Sequence, residues 1–235
     1  MEINTEIKDK AIEAIALDKY SSDSTKYIEF AYFLIDHKIE TENIYILAGL
    51  QNNSYYEKVH YFNKVLEDIK IEIQPIDNLD KIYALSIAKQ VIRKELDPII
   101  AVNKLERLYV QTDYNPFYIE FLEISDGIDL LDEDYEHIPG MNKDNQKEYI
   151  IHAFELFVIF SELIVPDGFW RRGYCKNCNQ RVIPKQTDKK NGIFKKKSTM
   201  LCCPYCGSQH FFWTRYNEGK DLYLREIRLT IASTT

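Results

Sequence analysis

All five cysteines of this 235-residue chain lie between positions 175 and 206. Four of them form two C-x2-C pairs, Cys175-Lys176-Asn177-Cys178 and Cys203-Pro204-Tyr205-Cys206, separated by 24 residues. A C-x2-C turn brings two thiolates to one side of an ion while backbone N–H groups point at the sulfurs. Asn179 and Gly207, which follow the two pairs, suit so tight a turn. The spacing predicts one metal site on Cys175, Cys178, Cys203 and Cys206, with Zn2+ as the ion that prefers four tetrahedral sulfur ligands. An iron–sulfur centre uses four cysteines too and stays open as an alternative. Disulfide pairing and redox use of C-x-x-C also compete. No βαβ pattern surrounds either pair, and a reducing cytoplasm, the compartment expected for this chain, suits metal binding better than a disulfide framework. Cys202 breaks the spacing and is expected to be a spare thiol or packing residue. His210 becomes a ligand only if one cysteine turns away. Four protein ligands leave no position for water, so the ion is expected to be structural.

The segments 180–183, 210–215 and 222–231 read as strands, with Asn217-Glu218-Gly219-Lys220 as the turn between the last two. With the cysteine pairs they make residues 170–231 resemble the zinc-ribbon family. The resemblance implies a small β module held by one structural zinc. Zinc ribbons serve as docking modules and as nucleic-acid binders, so the fold does not select a function. The acidic pair at the hairpin tip of transcript-cleavage ribbons has no counterpart in Asn217-Glu218-Gly219-Lys220, so that activity is not expected.

Charge divides the chain at the same place. Residues 1–165 carry 16 Lys/Arg against 32 Asp/Glu, whereas residues 166–235 carry 14 against 5. We therefore expect an α+β protein: an acidic all-α domain over 1–165, built as a bundle or solenoid-like stack, and a basic zinc-ribbon domain over 166–235. Within the first part, apolar residues recur at three and four from Ile3 to Ile15, from Tyr27 to Ile35, from Ile44 to Leu50 and from Phe62 to Ile69, predicting amphipathic helices. Ser22 or Asp23 and Thr41 are candidate caps, and Ser54-Tyr55-Tyr56-Glu57 fits a capping box. Residues 71–76 alternate and suggest a short strand or extended link. A helix is expected over 78–94, others behind Asp97-Pro98 and Asn115-Pro116, and a long one over 142–165. No repeat of fixed period is evident.

The remaining motifs bear on function. Lys189-Lys190 and Lys195-Lys196-Lys197, with Phe211, Phe212 and Trp213, are the cations and aromatics that nucleic-acid binding would use; a solvated loop and a small aromatic core are the competing readings. Residues 120–136 hold eight carboxylates and no Lys or Arg. Spacing by three from Glu120 through Asp126 and Asp129 to Asp132 suggests a shared helical face, either solvated or a landing site for a basic partner or the chain's own ribbon. Glu57-x-x-His60 has the spacing of a di-iron ligand pair, but a matching second pair is missing. P-loop, dinucleotide, metalloprotease and nucleophile-elbow signatures are absent. The N-terminus lacks signal-peptide features, and the most apolar stretch, 149–165, is too short and charged to span a bilayer. The expected protein is cytoplasmic, non-enzymatic and membrane-free, with the helical part binding a protein and the ribbon supplying a basic surface. In charge and helix content the acidic part is similar to bacterial immunity proteins that mask basic nuclease toxins, which implies a basic protein partner. Nucleic-acid binding through the ribbon, as in a transcription-associated factor, is the alternative. An enzyme site on the Glu148/His152/Glu155 stripe is a third.

Overall fold

The computed structural model describes residues 2–73, 78–133, 135, 137–191 and 196–234, with backbone alone at 2–4, 132, 188–191, 196–198 and 230–234. Among the described residues, eight α-helices precede two small antiparallel sheets, and a ninth helix follows them. The chain divides into two compact units, Met1–Ile87 and Ala88–Thr235. The change of charge at residue 166 falls inside the second unit.

The first unit holds α1 (Glu2–Ser21), α2 (Thr25–Asp36), α3 (Glu42–Gly49), α4 (Tyr55–Asp68) and most of α5 (Leu79–Ile92). Local chemistry starts several of these helices. Thr41 Oγ1 accepts from Ile44 N, and Ser54 and Glu57 form a complete capping box, each satisfying an N–H that the helix cannot. At α2 the cap residue is Ser24, while Asp23 accepts from Thr25 N at 3.1 Å. Ile7, Tyr27, Phe30, Leu34, Ile44, Leu47, Phe62 and Val65 form one buried cluster from the first four helices. Residues 71–73 adopt no regular element, and the rest of the alternating 71–76 segment lies outside the described residues.

In the second unit, Asp97 accepts from Ile99 N and Ile100 N to start α6 (Pro98–Gln111), with Pro98 in the first turn, where its missing N–H costs little. Asn115 does the same for a 3-10 turn, Pro116–Tyr118, that leads into α7 (Ile119–Asp132). The long apolar helix is shorter than its pattern: α8 runs Gln146–Glu162, because Leu163 is already extended. Phe121 of α7 stacks on Phe154 of α8 at 4.8 Å, and Phe117 meets Phe157 at 5.0 Å.

A three-stranded sheet, ordered β2-β1-β5, follows: β1 is Gly173–Cys175, β2 Arg181–Val182 and β5 Phe211–Trp213. Between β2 and β5 the chain makes a separate hairpin of β3 (Lys185–Asn191) and β4 (Lys196–Cys202). The expected strand over 222–231 is instead helix α9 (Asn217–Thr234), and Asn217-Glu218-Gly219-Lys220 is its first turn, not a β-turn. Packing decides this: Tyr223, Leu224 and Ile227, at helical spacing, join Leu156, Phe160 and Phe169 in one cluster. A strand would put Tyr223 and Leu224 on opposite faces.

Candidate metal centre

The two C-x2-C turns are built alike. Asn179 N donates to Cys175 O at 2.9 Å, and Gly207 N donates to Cys203 O at the same distance. Cys175 N then donates to Gln180 O (3.0 Å) and Cys203 N to Ser208 O (2.7 Å), so each turn is closed by the same two hydrogen bonds. The fourth residue after the first cysteine is left-handed in both, Asn179 at φ 57° and Gly207 at φ 72°. Asparagine and glycine are the residues that adopt this conformation most readily.

These turns bring all four sulfurs within 4.8 Å of one another, with Cys175 Sγ 3.5 Å from Cys206 Sγ and Cys178 Sγ 3.6 Å from Cys203 Sγ. A tetrahedral shell with Zn–S bonds of about 2.3 Å has sulfurs about 3.8 Å apart, so the set fits one zinc ion. Burial opposes a thiolate at Cys175, but N–H donation from Cys178 and Asn177, together with the Cys206 and Cys178 thiols, brings it down to about 6. At Cys178 the Gln180 N–H favours the thiolate, but burial and the sulfurs of Cys203, Cys175 and Cys206 push it up to about 12. Crowded sulfurs cannot all ionise by themselves; a divalent cation supplies the missing positive charge. Cys175 and Cys203 are buried with Val182 and Phe211, so the four-cysteine site forms part of a small core beside the three-stranded sheet. Among the described residues this is the one group of three or more metal-ligating side chains close enough to share an ion. Neither His210 nor Cys202 belongs to it. His210 is exposed and offers its carbonyl to Lys176 N, and Cys202 pairs with Lys185 at the base of the hairpin. Glu57 of the Glu57-x-x-His60 pair is occupied by its capping box.

Trp213 is half-buried against Phe211, with the Arg215 guanidinium 5.2 Å from its ring centroid. Phe212 lies under Lys176 Nζ at 4.2 Å. Lys196 and Lys197 occupy positions in β4, whereas Lys195 lies outside the described residues. On α7, Asp126 and Asp129 are exposed, and of Asp132 only the backbone is described. No helix among the described residues is long and apolar enough to cross a membrane.

Spacing did not foretell the use of Glu120 and Glu123. Three helical residues turn through about 300°, so a series by threes drifts, and Asp129 lies opposite Glu120. Glu120 is buried and paired with Lys220 of α9, itself only 1% exposed. Burial pushes the Glu120 carboxyl above the usual range, against the pull of Lys220. Glu123 meets Arg215 at 3.3 Å. Around them, Asn217 Nδ2 donates to Tyr149 O (3.0 Å), and His152 Nε2 faces Asp221 Oδ2 (3.0 Å). Thr214, fully buried, donates its hydroxyl to Phe169 O and also contacts Arg172 O at 3.0 Å. The segment 214–221 thus ties the end of β5 to α7 and α8. The signal available for it was Arg215, set between Thr214 and Tyr216; Lys220, between Glu218 and Asp221, gave none.

No family model, no curated protein and no solved structure matches the chain.

Proposed function

We propose that the protein is a non-enzymatic binding protein, its helical part engaging a basic protein partner and its ribbon held by one structural zinc. The observation that carries this reading is the surface of the first unit. Tyr32, Tyr45, Tyr55 and Tyr56 are exposed, Tyr56 by 82%. They belong to a unit with nine lysines against sixteen carboxylates and no arginine. Exposed tyrosines with few rotatable bonds are the residues that dominate protein interfaces, and a surplus of carboxylates selects a basic surface opposite them. Two are already ordered: Tyr32 Oη accepts from Gln51 Nε2 at 3.0 Å, and Tyr55 Oη donates to Asp18 Oδ2 at 3.0 Å. A four-thiolate shell supports a non-catalytic metal, since it leaves the ion no exchangeable position.

The test compares the zinc-loaded chain with its Tyr45→Ala/Tyr56→Ala variant as baits, read by quantitative mass spectrometry. The reading expects a basic protein recovered at least about tenfold less on the variant. Equal recovery on both baits refutes it. A second reading, nucleic-acid contact through the ribbon, is favoured by one observation, the lysine-bearing β3–β4 hairpin.

A further inference from the structure

This inference rests on the nucleic-acid reading and gives it a partner class. The β3–β4 hairpin pairs with no other strand among the described residues and packs extensively on no other element. Its span, 185–202, contains six lysines and one aspartate, with no arginine or glutamate. Five of those lysines occupy places in a seven-pair ladder: Lys185 opposite Cys202, Lys189 opposite Ser198, Lys190 opposite Lys197, and Lys196 opposite Asn191. Like charges placed directly across a strand pair weaken it. The register places positions 190 and 197, both lysine, directly across the ladder, and a polyanion is the partner that offsets such a pairing.

Two further features choose among polyanions. Successive bases of a single strand need exposed aromatic platforms, but Trp213 is packed on Phe211 beside Arg215 and Phe212 is covered by Lys176. Among the described phenylalanine, tyrosine and tryptophan rings of this region, Tyr205 alone is strongly exposed. A two-stranded ribbon, on the other hand, fits the major groove of B-form DNA, whereas the A-form groove of RNA is too deep and narrow. At about 3.3 Å per residue, the ladder is about 23 Å long, enough to follow the groove past several phosphates. We infer that the β3–β4 hairpin is an arm that binds double-stranded DNA, its lysines contacting phosphates with little sequence preference.

The experiment is a fluorescence-anisotropy titration of the full zinc-loaded chain at salt from about 50 to 150 mM, with a labelled duplex DNA of about 24 base pairs, the matching single strand and the matching duplex RNA. Five phosphate contacts predict a log–log salt slope of about −4.5, an affinity loss of about 100-fold across that range. Exchanging Lys185, Lys189, Lys190, Lys196 and Lys197 together for Gln should flatten the slope to near zero. Lys197→Glu places opposite charges across the pair with Lys190 and so strengthens the hairpin. It should still weaken duplex binding at least about tenfold at the lowest salt. An unchanged slope in the five-fold variant overturns the arm. Single strand or duplex RNA bound as tightly as duplex DNA overturns the partner class and leaves the nucleic-acid reading standing. No binding to any of the three at the lowest salt overturns both.

Discussion

The buried Glu120–Lys220 pair makes a quantitative prediction. Lys220→Met keeps the side chain's length and apolar contacts, including its place near the rings of Phe160 and Trp170, and removes only the charge. Glu120 is then a carboxylate with no cation, in a position where burial already raises its pKa. Two routes give the cost. Removing one partner of a buried ion pair destabilises by about 3–5 kcal/mol. Alternatively, the orphaned group takes up a proton. Holding neutral at pH 7 a carboxyl whose unfolded pKa is about 4.3 costs about 3.7 kcal/mol. The routes agree, and the second fixes the sign with pH. An acid whose folded pKa is raised loses stability as pH climbs above its unfolded value, by about 1.4 kcal/mol per unit until the folded pKa is reached. The deficit should be about 2.3 kcal/mol at pH 6 and about 3.7 at pH 7. Both tryptophans, Trp170 and Trp213, lie in the second unit, so their fluorescence in urea reports that unit. With a slope of about 2 kcal/mol per molar, the midpoint should fall by about 1 M at pH 6 and about 2 M at pH 7. Glu120→Leu combined with Lys220→Met should return to within about 1 kcal/mol of the parent. A loss under about 1 kcal/mol for Lys220→Met, or one equal at both pH values, would refute the reasoning.

Other expectations follow from the same geometry. Atomic emission should find one zinc per chain; Cys203→Ser should abolish stoichiometric loading, whereas Cys202→Ser should leave it at one. Thr214→Val strips a hydroxyl that serves the carbonyls of Phe169 and Arg172. It should cost the second unit about 1–3 kcal/mol by the same urea assay. At His152, burial disfavours the charged ring, but the Asp221 and Glu155 carboxylates outweigh it and raise the pKa. Its contribution to stability is therefore full below the unfolded value of about 6.5 and is lost as pH rises through the folded one. An NMR titration should place the midpoint above that value in the parent, and Asp221→Asn should lower it.

What could be seen in the sequence was local. The cysteine turns, the Ser54–Glu57 capping box and the Asp97-Pro98 helix start each need only a run of neighbouring residues no longer than Cys175–Gln180, and each forms as its residue types require. The final helix was misread because its apolar residues fit two periods. Ile227, Leu229 and Ile231 alternate like a strand, while Tyr223, Leu224 and Ile227 follow a helix, and only the partners Phe160 and Phe169 decide between them. Gly219 looked like a turn residue. Its real constraint is space: a Cβ there would lie 2.1 Å from Trp213 O, at the end of β5. Glu120 likewise looked like one more solvated acid, since its partner Lys220 is a hundred residues away. The one trace of this pairing in the sequence is the setting of Glu120 between Ile119 and Phe121, since Lys220 stands among the charges of Glu218 and Asp221.

The β3–β4 ladder also changes what the 24-residue interval between the cysteine pairs means. Zipped from Lys185–Cys202 to Asn191–Lys196, it delivers the chain back beside its departure point, directly before Cys203. The second knuckle therefore meets the first across the six residues 179–184 instead of 24, a saving in loop-closure entropy of about 1 kcal/mol. Pairs can be added to or removed from the outer end of the ladder without moving either knuckle. The length of the hairpin is thus set apart from the geometry of the cysteines: one can change while the other stays as it is.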